Sequence, residues 1–140
     1  MSYDLYLLEL PSDDLNEARS RLEERLARAR GESTPPELKE GAAEALMNAD
    51  SRFQPFKKDY QAIAEFEGIS VEEARKRYDE LELNGPGEEK LAQFVFDNGY
   101  IAVHWYSGTT PEEMLNYLEI LCRETGYAVF DPQASTVTRY

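Results

Sequence analysis

Between Tyr3 and Leu10 both sets of alternating positions are apolar, Tyr3, Leu5 and Leu7 against Tyr6, Leu8 and Leu10. A strand apolar on both faces belongs in the middle of a sheet. Pro11 ends it, and Ser12, Asp13 and Asp14 supply helix caps, Asp14 and Glu17 having the spacing of a capping box. Leu15, Ala18, Leu22, Leu26 and Ala29 recur at helical spacing, with Glu17 to Arg21 and Glu24 to Arg28 as i,i+4 pairs, and Gly31 is the expected stop.

The middle of the chain reads as helical. Thr34, Pro35, Pro36 and Glu37 form a second start signal, followed by Leu38, Ala42, Ala45 and Leu46 at helical spacing. After a break at residues 50–55 the spacing resumes with Phe56, Tyr60, Ile63 and Phe66, stops at Gly68 and restarts behind Ser70, with Glu73 at capping distance. Asn84, Gly85, Pro86 and Gly87 predict a loop.

Residues 91–106 predict a β-hairpin around Asn98-Gly99, a dipeptide that accepts the positive φ angles of a two-residue turn. With Asp97 opposite Tyr100, one face carries Phe94, Phe96, Ile101, Val103, Ala92 and Trp105. The other carries Gln93, Val95, Ala102, His104 and Tyr106. Thr110, Pro111 and Glu113 then start an amphipathic helix through Met114, Leu118 and Leu121, which Gly126 stops. Residues 127–130 and 135–140 predict two last strands, the second at an edge.

Removing residues 32–90 leaves the order β-α-β-β-α-β, the split β-α-β or ferredoxin-like pattern. The expectation is therefore a single α+β domain, residues 1–140, with a ferredoxin-like antiparallel sheet and a helical insertion at 32–90. The helices at 14–30 and 111–125 are expected to share one sheet face. The insertion, through Phe53, Phe56, Tyr60 and Phe66, is expected to cover the other.

Charge narrows the partners. Fifteen Lys and Arg stand against 28 Asp and Glu, a net −13 spread along the chain without an acidic tail. Generic binding to nucleic-acid phosphates or anionic membranes is disfavoured, and a cationic protein is the partner the charge suits. Cys122 is the sole cysteine, which excludes an internal disulfide and a thiolate-rich zinc site, and it falls on an apolar helix face where burial is expected. The start, MSYDLYLLEL, lacks the basic and apolar blocks of a secretory signal, so a cytoplasmic location is expected.

Candidate chemistry is sparse. His104 is the only histidine, and no nucleophile or carboxylate lies at an interpretable sequence spacing from it. Metal-ligand spacing is absent, and Gly85-Pro86-Gly87 is followed by Glu88 and Glu89, which would repel a phosphate. No catalytic, cofactor or metal residue is assigned and no cofactor is expected. Nine tyrosines, several on predicted strands, suggest an aromatic recognition surface. The candidate interaction residues are Gln93, Tyr100, His104 and Tyr106 on the hairpin, with the acidic pair Glu72 and Glu73.

Residues 60–81, YQAIAEFEGISVEEARKRYDEL, resemble the helix-turn-helix of sigma-factor region 4 and related response regulators. Ala64 and Ala74 stand at the helix crossing, Gly68 at the turn, and Tyr78 where that family usually has leucine. The resemblance implies a helical hairpin, with residues 37–49 as a third helix to pack on. Glu72 and Glu73, at the front of the second helix, would face the DNA and repel it.

The two ends, residues 1–6 (MSYDLY) and 125–133 (TGY, a strand, then DPQ), resemble small bacterial proteins, some of them similar to immunity proteins of toxin systems. That resemblance carries no catalytic residue onto the chain. The leading expectation is a non-enzymatic protein-interaction module that binds a cationic protein. The alternatives are a transcription-associated helix-turn-helix protein and a small enzyme with a cleft near His104.

Overall fold

A computed structural model of the chain describes residues 3–27, 36–55, 57–78, 81–84, 91–97 and 99–140, with the backbone alone at 36–40, 81 and 84. Strand β1, Tyr3–Leu8, is followed by helices α1, Leu15–Leu26, and α2, Pro36–Ala49. A two-residue strand β2, Gln54–Pro55, precedes α3, Tyr60–Glu67, and α4, Val71–Arg77. Strands β3, Leu81–Asn84, β4, Gln93–Asp97, and β5, Tyr100–Trp105, come next. Helix α5, Pro111–Thr125, and strands β6, Ala128–Asp131, and β7, Thr136–Thr138, complete the order.

All seven strands pair antiparallel in one sheet, ordered β2-β3-β4-β5-β1-β6-β7. Strand β1 is internal, as its doubly apolar pattern requires, and it pairs residue for residue with β5 from Tyr3↔Trp105 to Leu8↔Tyr100. The hairpin register places Asp97 opposite Tyr100 and Phe94 opposite Val103, as its pattern predicts. Gly99 has φ +73°, which a glycine adopts at little cost. A Cβ at this position would lie 3.1 Å from the Arg25 guanidinium of α1, a tight contact with the end of a flexible side chain.

Each sheet face has its own cover. Leu5, Leu7, Leu83, Phe94, Phe96, Ile101, Val103 and Val129 form one apolar layer, packed by Ala42, Ala43 and Leu46 of α2 and by Met114, Leu118, Leu121 and Cys122 of α5. On the reverse face Leu8, Leu10, Ala128 and Phe130 pack against Ala18 and Leu22 of α1. Because side chains of a strand alternate, α1 and α5 lie on opposite faces. The expectation that they share one is overturned.

The cover on the first layer is also different from the expected one. Helix α2, not the aromatic residues of the insertion as a group, joins α5 there. Among the described aromatic residues of the insertion Phe53 alone is buried, at 2% exposure, in a mutual edge-to-face cluster with Phe94 (5.3 Å) and Tyr117 (5.2 Å). Tyr60 instead receives the Arg75 guanidinium over its ring at 4.9 Å, and Phe66 stands 92% exposed. Phe56 lies outside the described residues, as do Arg28, Ala29, Gly31, Thr34, Pro35, Asn98 and residues 85–90, on which the expected first-helix stop, second-helix cap, turn type and loop fall.

Two strands went unanticipated. Leu81–Asn84 was expected to finish a helix and open a loop, yet Tyr78 ends α4 and the chain becomes extended, with Leu83 paired to Phe94. The sheet is thus larger than the four strands of the split pattern. Both of its edges are short, two residues including Pro55 at one and three at the other. Short edges and an edge proline leave little unpaired backbone for another chain to join.

Helices α3 and α4 form a compact hairpin. Asp59 and Ser70 cap them by accepting from Ala62 N–H and Glu73 N–H, Gly68 closes α3 in the left-handed region, and Ala64 and Ala74 are buried at the crossing. Lys58 Nζ and the Tyr60 hydroxyl both donate to the Tyr78 carbonyl.

The contrast between two phenylalanines of the insertion is testable by denaturant unfolding. Phe53→Ala should destabilise the protein by about 3–5 kcal/mol, as emptying an aromatic core site does. Phe66→Ala should change stability by no more than about 0.5 kcal/mol.

Candidate functional site

The reverse face of the sheet is only partly covered by α1, and over β3, β4, β5 and β1 it presents a patterned surface. One row is polar: Gln93 stands opposite His104, and His104 opposite Asp4. His104 Nδ1 lies 2.8 Å from Asp4 Oδ1, and Gln93 Nε2 donates to Glu82 Oε1. The next row, Val95, Ala102 and Tyr6, is apolar. The third places Asp97 beside Tyr100, whose hydroxyl donates to it at 3.2 Å, ahead of Leu8. Burial raises the Tyr6 phenol pKa above its ordinary value, and the neighbouring Asp4 carboxylate adds to that. The phenol therefore stays a neutral donor.

This arrangement has the anatomy of a recognition surface, an apolar centre edged by polar groups. Three carboxylates, Asp4, Glu82 and Asp97, mark its margins. All the named side chains except Ala102 and Leu8 keep part of their surface exposed. The pattern follows from the strands themselves, since alternation puts the apolar partners of these residues in the core.

Of the candidate residues, Gln93, Tyr100 and His104 share this face. Tyr106 lies one residue beyond β5, lining a shallow hollow with Tyr3, Trp105, Ser107 and Thr109. Glu72 and Glu73 belong to a different element, the first turn of α4, where Glu73 pairs with Arg77 at 3.0 Å. Both arginines of α4 are engaged locally, Arg75 with the Tyr60 ring and Arg77 with Glu73 and, at 4.0 Å, Glu67. Helix α2, expected as the third helix of a DNA-reading unit, packs on α5 and the sheet.

Sequence reasoning missed Asp4 as the partner of His104, one hundred residues away. It also missed a polar cluster on the opposite face. Arg52 donates to Asp50 through its backbone N–H at 3.0 Å, Nε at 3.0 Å and Nη2 at 2.7 Å, and Nη2 also reaches Glu113 at 2.7 Å. The Tyr117 hydroxyl donates to Asp50 at 2.5 Å. The residues come from the end of α2, the following turn and the first two turns of α5. Only Glu113 carried a signal, as the capping-box partner of Thr110, a role it also fills.

The electrostatics of this cluster are strongly set. The Arg52 hydrogen bonds hold the Asp50 carboxyl well below the usual carboxylate range, with the Tyr117 hydroxyl contributing. Burial, and then the hydrogen bond to Asp50, pushes the Tyr117 phenol up to about 12. The Thr110 backbone and then Arg52 lower Glu113. Nothing in the group is poised to exchange a proton near neutral pH, so it reads as a clamp between helices. Cys122, buried in the same apolar layer, has its thiol pushed up to about 11 by burial, which keeps it protonated.

No protein-family model, curated protein or solved structure matches the chain. The site must therefore be argued from its own geometry. Among the described residues no group of three His, Cys, Asp or Glu side chains is arranged to hold a metal ion. No described helix is long and apolar enough to cross a membrane.

The clamp has a pH signature. Asp50 has a folded pKa below its unfolded value, so its contribution is full above about pH 4 and is lost as pH falls through the folded value. Tyr117 behaves oppositely, contributing fully below about pH 10 and losing it as pH rises toward 12. Asp50→Asn should cost about 1–3 kcal/mol at pH 7. In denaturant titrations the difference between wild type and variant should narrow on going from pH 5 to pH 2.

Proposed function

We propose that the protein is a non-enzymatic interaction module that binds a cationic protein partner through the reverse sheet face, centred on Val95, Ala102 and Tyr6. The observation that carries this reading is the row pattern itself. An apolar strip lies between a Gln93–His104–Asp4 row and an Asp97–Tyr100 row, with carboxylates at the margins. Basic side chains of a partner would meet Asp4, Glu82 and Asp97 at the rim while its apolar residues cover the strip. The net charge of −13 supports the same choice of partner and favours rapid, salt-sensitive association.

The resemblance of the two chain ends to small bacterial proteins, some similar to toxin-immunity proteins, suits a role in neutralising a cationic protein. We read β4-β5-β1-β6 as a split β-α-β-like strand order that β2, β3 and β7 extend. On this reading the added strands widen the face that recognises the partner. The engagement of Arg75 and Arg77 within the α3–α4 hairpin, together with Glu72 and Glu73, weighs against a nucleic-acid-reading role for that segment.

One observation favours a second reading, a small enzyme at His104. Asp4 orients the ring through Nδ1, as a carboxylate does for a catalytic base. The described surroundings provide no nucleophile in hydrogen-bond contact with that ring. His104→Ala separates the two: retained partner binding with loss of a turnover found by substrate screening would favour the enzyme.

The leading reading is tested by affinity capture from the native host at low and high salt, comparing wild type with the triple variant Asp4→Asn, Glu82→Gln, Asp97→Asn. A specific basic protein should be retained by wild type, be released by salt, and bind the triple variant about tenfold more weakly. Glu44→Gln, on the exposed side of α2, should bind as wild type does. Capture that is indifferent to the triple variant would sink the proposal.

A further inference from the structure

Where the β1–β5 ladder ends, Tyr3 and Trp105 are cross-strand partners, and their rings stand at 81° with centroids 6.1 Å apart. With Tyr106, Ser107 and Thr109 they line an open hollow of about 350 Å³. Both ring walls are held in place. Trp105 Nε1 donates to the Thr109 carbonyl at 2.8 Å, and Thr109 is buried, its hydroxyl accepting from Ala92 N–H at 2.9 Å. The Tyr3 hydroxyl donates to Asp131 Oδ2 at 2.6 Å, and Asp131 Oδ1 accepts from two backbone N–H groups.

Aromatic faces are electron-rich and attract cations, and a phenol that donates to a carboxylate is more electron-rich still. Asp131, the acceptor of the Tyr3 hydroxyl, adds an acidic group at the edge of that ring. An anion would be repelled here, while a planar cation can lie on one ring and present its edge to the other. Because the walls are already fixed, little side-chain freedom is lost on binding. Lysine, compact and strongly hydrated, suits two flat walls less well than guanidinium does.

We propose that this hollow is an anchor site for an arginine side chain of the cationic partner, with Tyr3 and Trp105 as the stacking walls and Tyr106 closing the third side. This rests on the protein-binding reading above and adds a defined contact to it at the end of β1 and β5, where Tyr3 and Trp105 take the α2–α5 side of the sheet, so a partner would reach round the strand ends to meet both. The geometry limits the occupant to the tip of a side chain, because the hollow is too open to enclose a free ligand.

Trp105 is the only tryptophan, so its emission reports from the wall of the site. The experiment titrates the full chain with a hexa-arginine peptide and with the equivalent citrulline peptide, following fluorescence and, in parallel, calorimetry. A saturable emission change with arginine and none with citrulline is expected. Tyr3→Leu or Tyr106→Leu should weaken the arginine titration about three- to tenfold, in line with a partly desolvated cation–π contact. Thermal unfolding identifies a variant that disturbs β1, and Tyr106, outside the strands, then carries the comparison.

Equal response to the citrulline peptide, or titrations unchanged in both variants, would overturn the proposal. Calorimetric binding of hexa-arginine without any emission change would overturn the anchor site while leaving the acidic-face reading intact. Absence of binding by either method would count against both.

Discussion

A phenol hydroxyl at the heart of the helical layer has to find a partner, and the packing around Tyr117 is organised by that need. Its ring closes an edge-to-face cluster with Phe53 and Phe94, so it cannot turn outward without opening the core. Its hydroxyl therefore ends on Asp50, which burial would penalise were it not bound by Arg52. Arg52 is in turn anchored on Glu113, which caps α5. The chain of obligation fixes where α2 ends, how the chain turns into β2 and at what height α5 begins. Removing Arg52 or Asp50, the two central members, leaves the charge of the other without its principal partner, which is costlier than losing the pair as a whole.

That clamp explains the division between the two sheet faces. With α2 and α5 bound to each other on one side, α1 alone among the described helices packs into the apolar cluster of the other, and its twelve residues do not reach across seven strands. The part it leaves open is where polar residues occur on β3, β4 and β5. The open face is thus a consequence of the unequal distribution of the helices over the sheet.

Much of this was legible in the residues. The hairpin register followed from Asn98-Gly99 and alternation, the internal place of β1 from its two apolar faces, and α5 from Thr110, Pro111 and Glu113. Gln93, Val95, Ala102 and His104 were grouped on one face by parity alone, and Tyr106, grouped with them, lies one residue beyond β5. What failed was long-range. Nothing local distinguishes a helix covering the near face from one covering the far face, so α1 and α5 were placed together. Leu81–Asn84 was too short to show period two against a helical neighbour. Asp4 with His104 and Arg52 with Glu113 are pairings made by topology, and no spacing in the chain announces them.

The α3–α4 hairpin departs from β2 and returns through β3, and those strands are paired to each other, Gln54 with Asn84 and Pro55 with Leu83. Its two roots are therefore held together by the sheet whatever happens beyond them. Its internal contacts, Ala64 on Ala74 and Arg75 on Tyr60, are its own. Such an excursion is a replaceable cassette. Closing a longer or shorter segment between fixed roots changes the loop entropy only slowly with length. A segment of different length between those roots, without the exposed Phe66 and the acidic turn, would therefore leave the clamp and the reverse sheet face as they are.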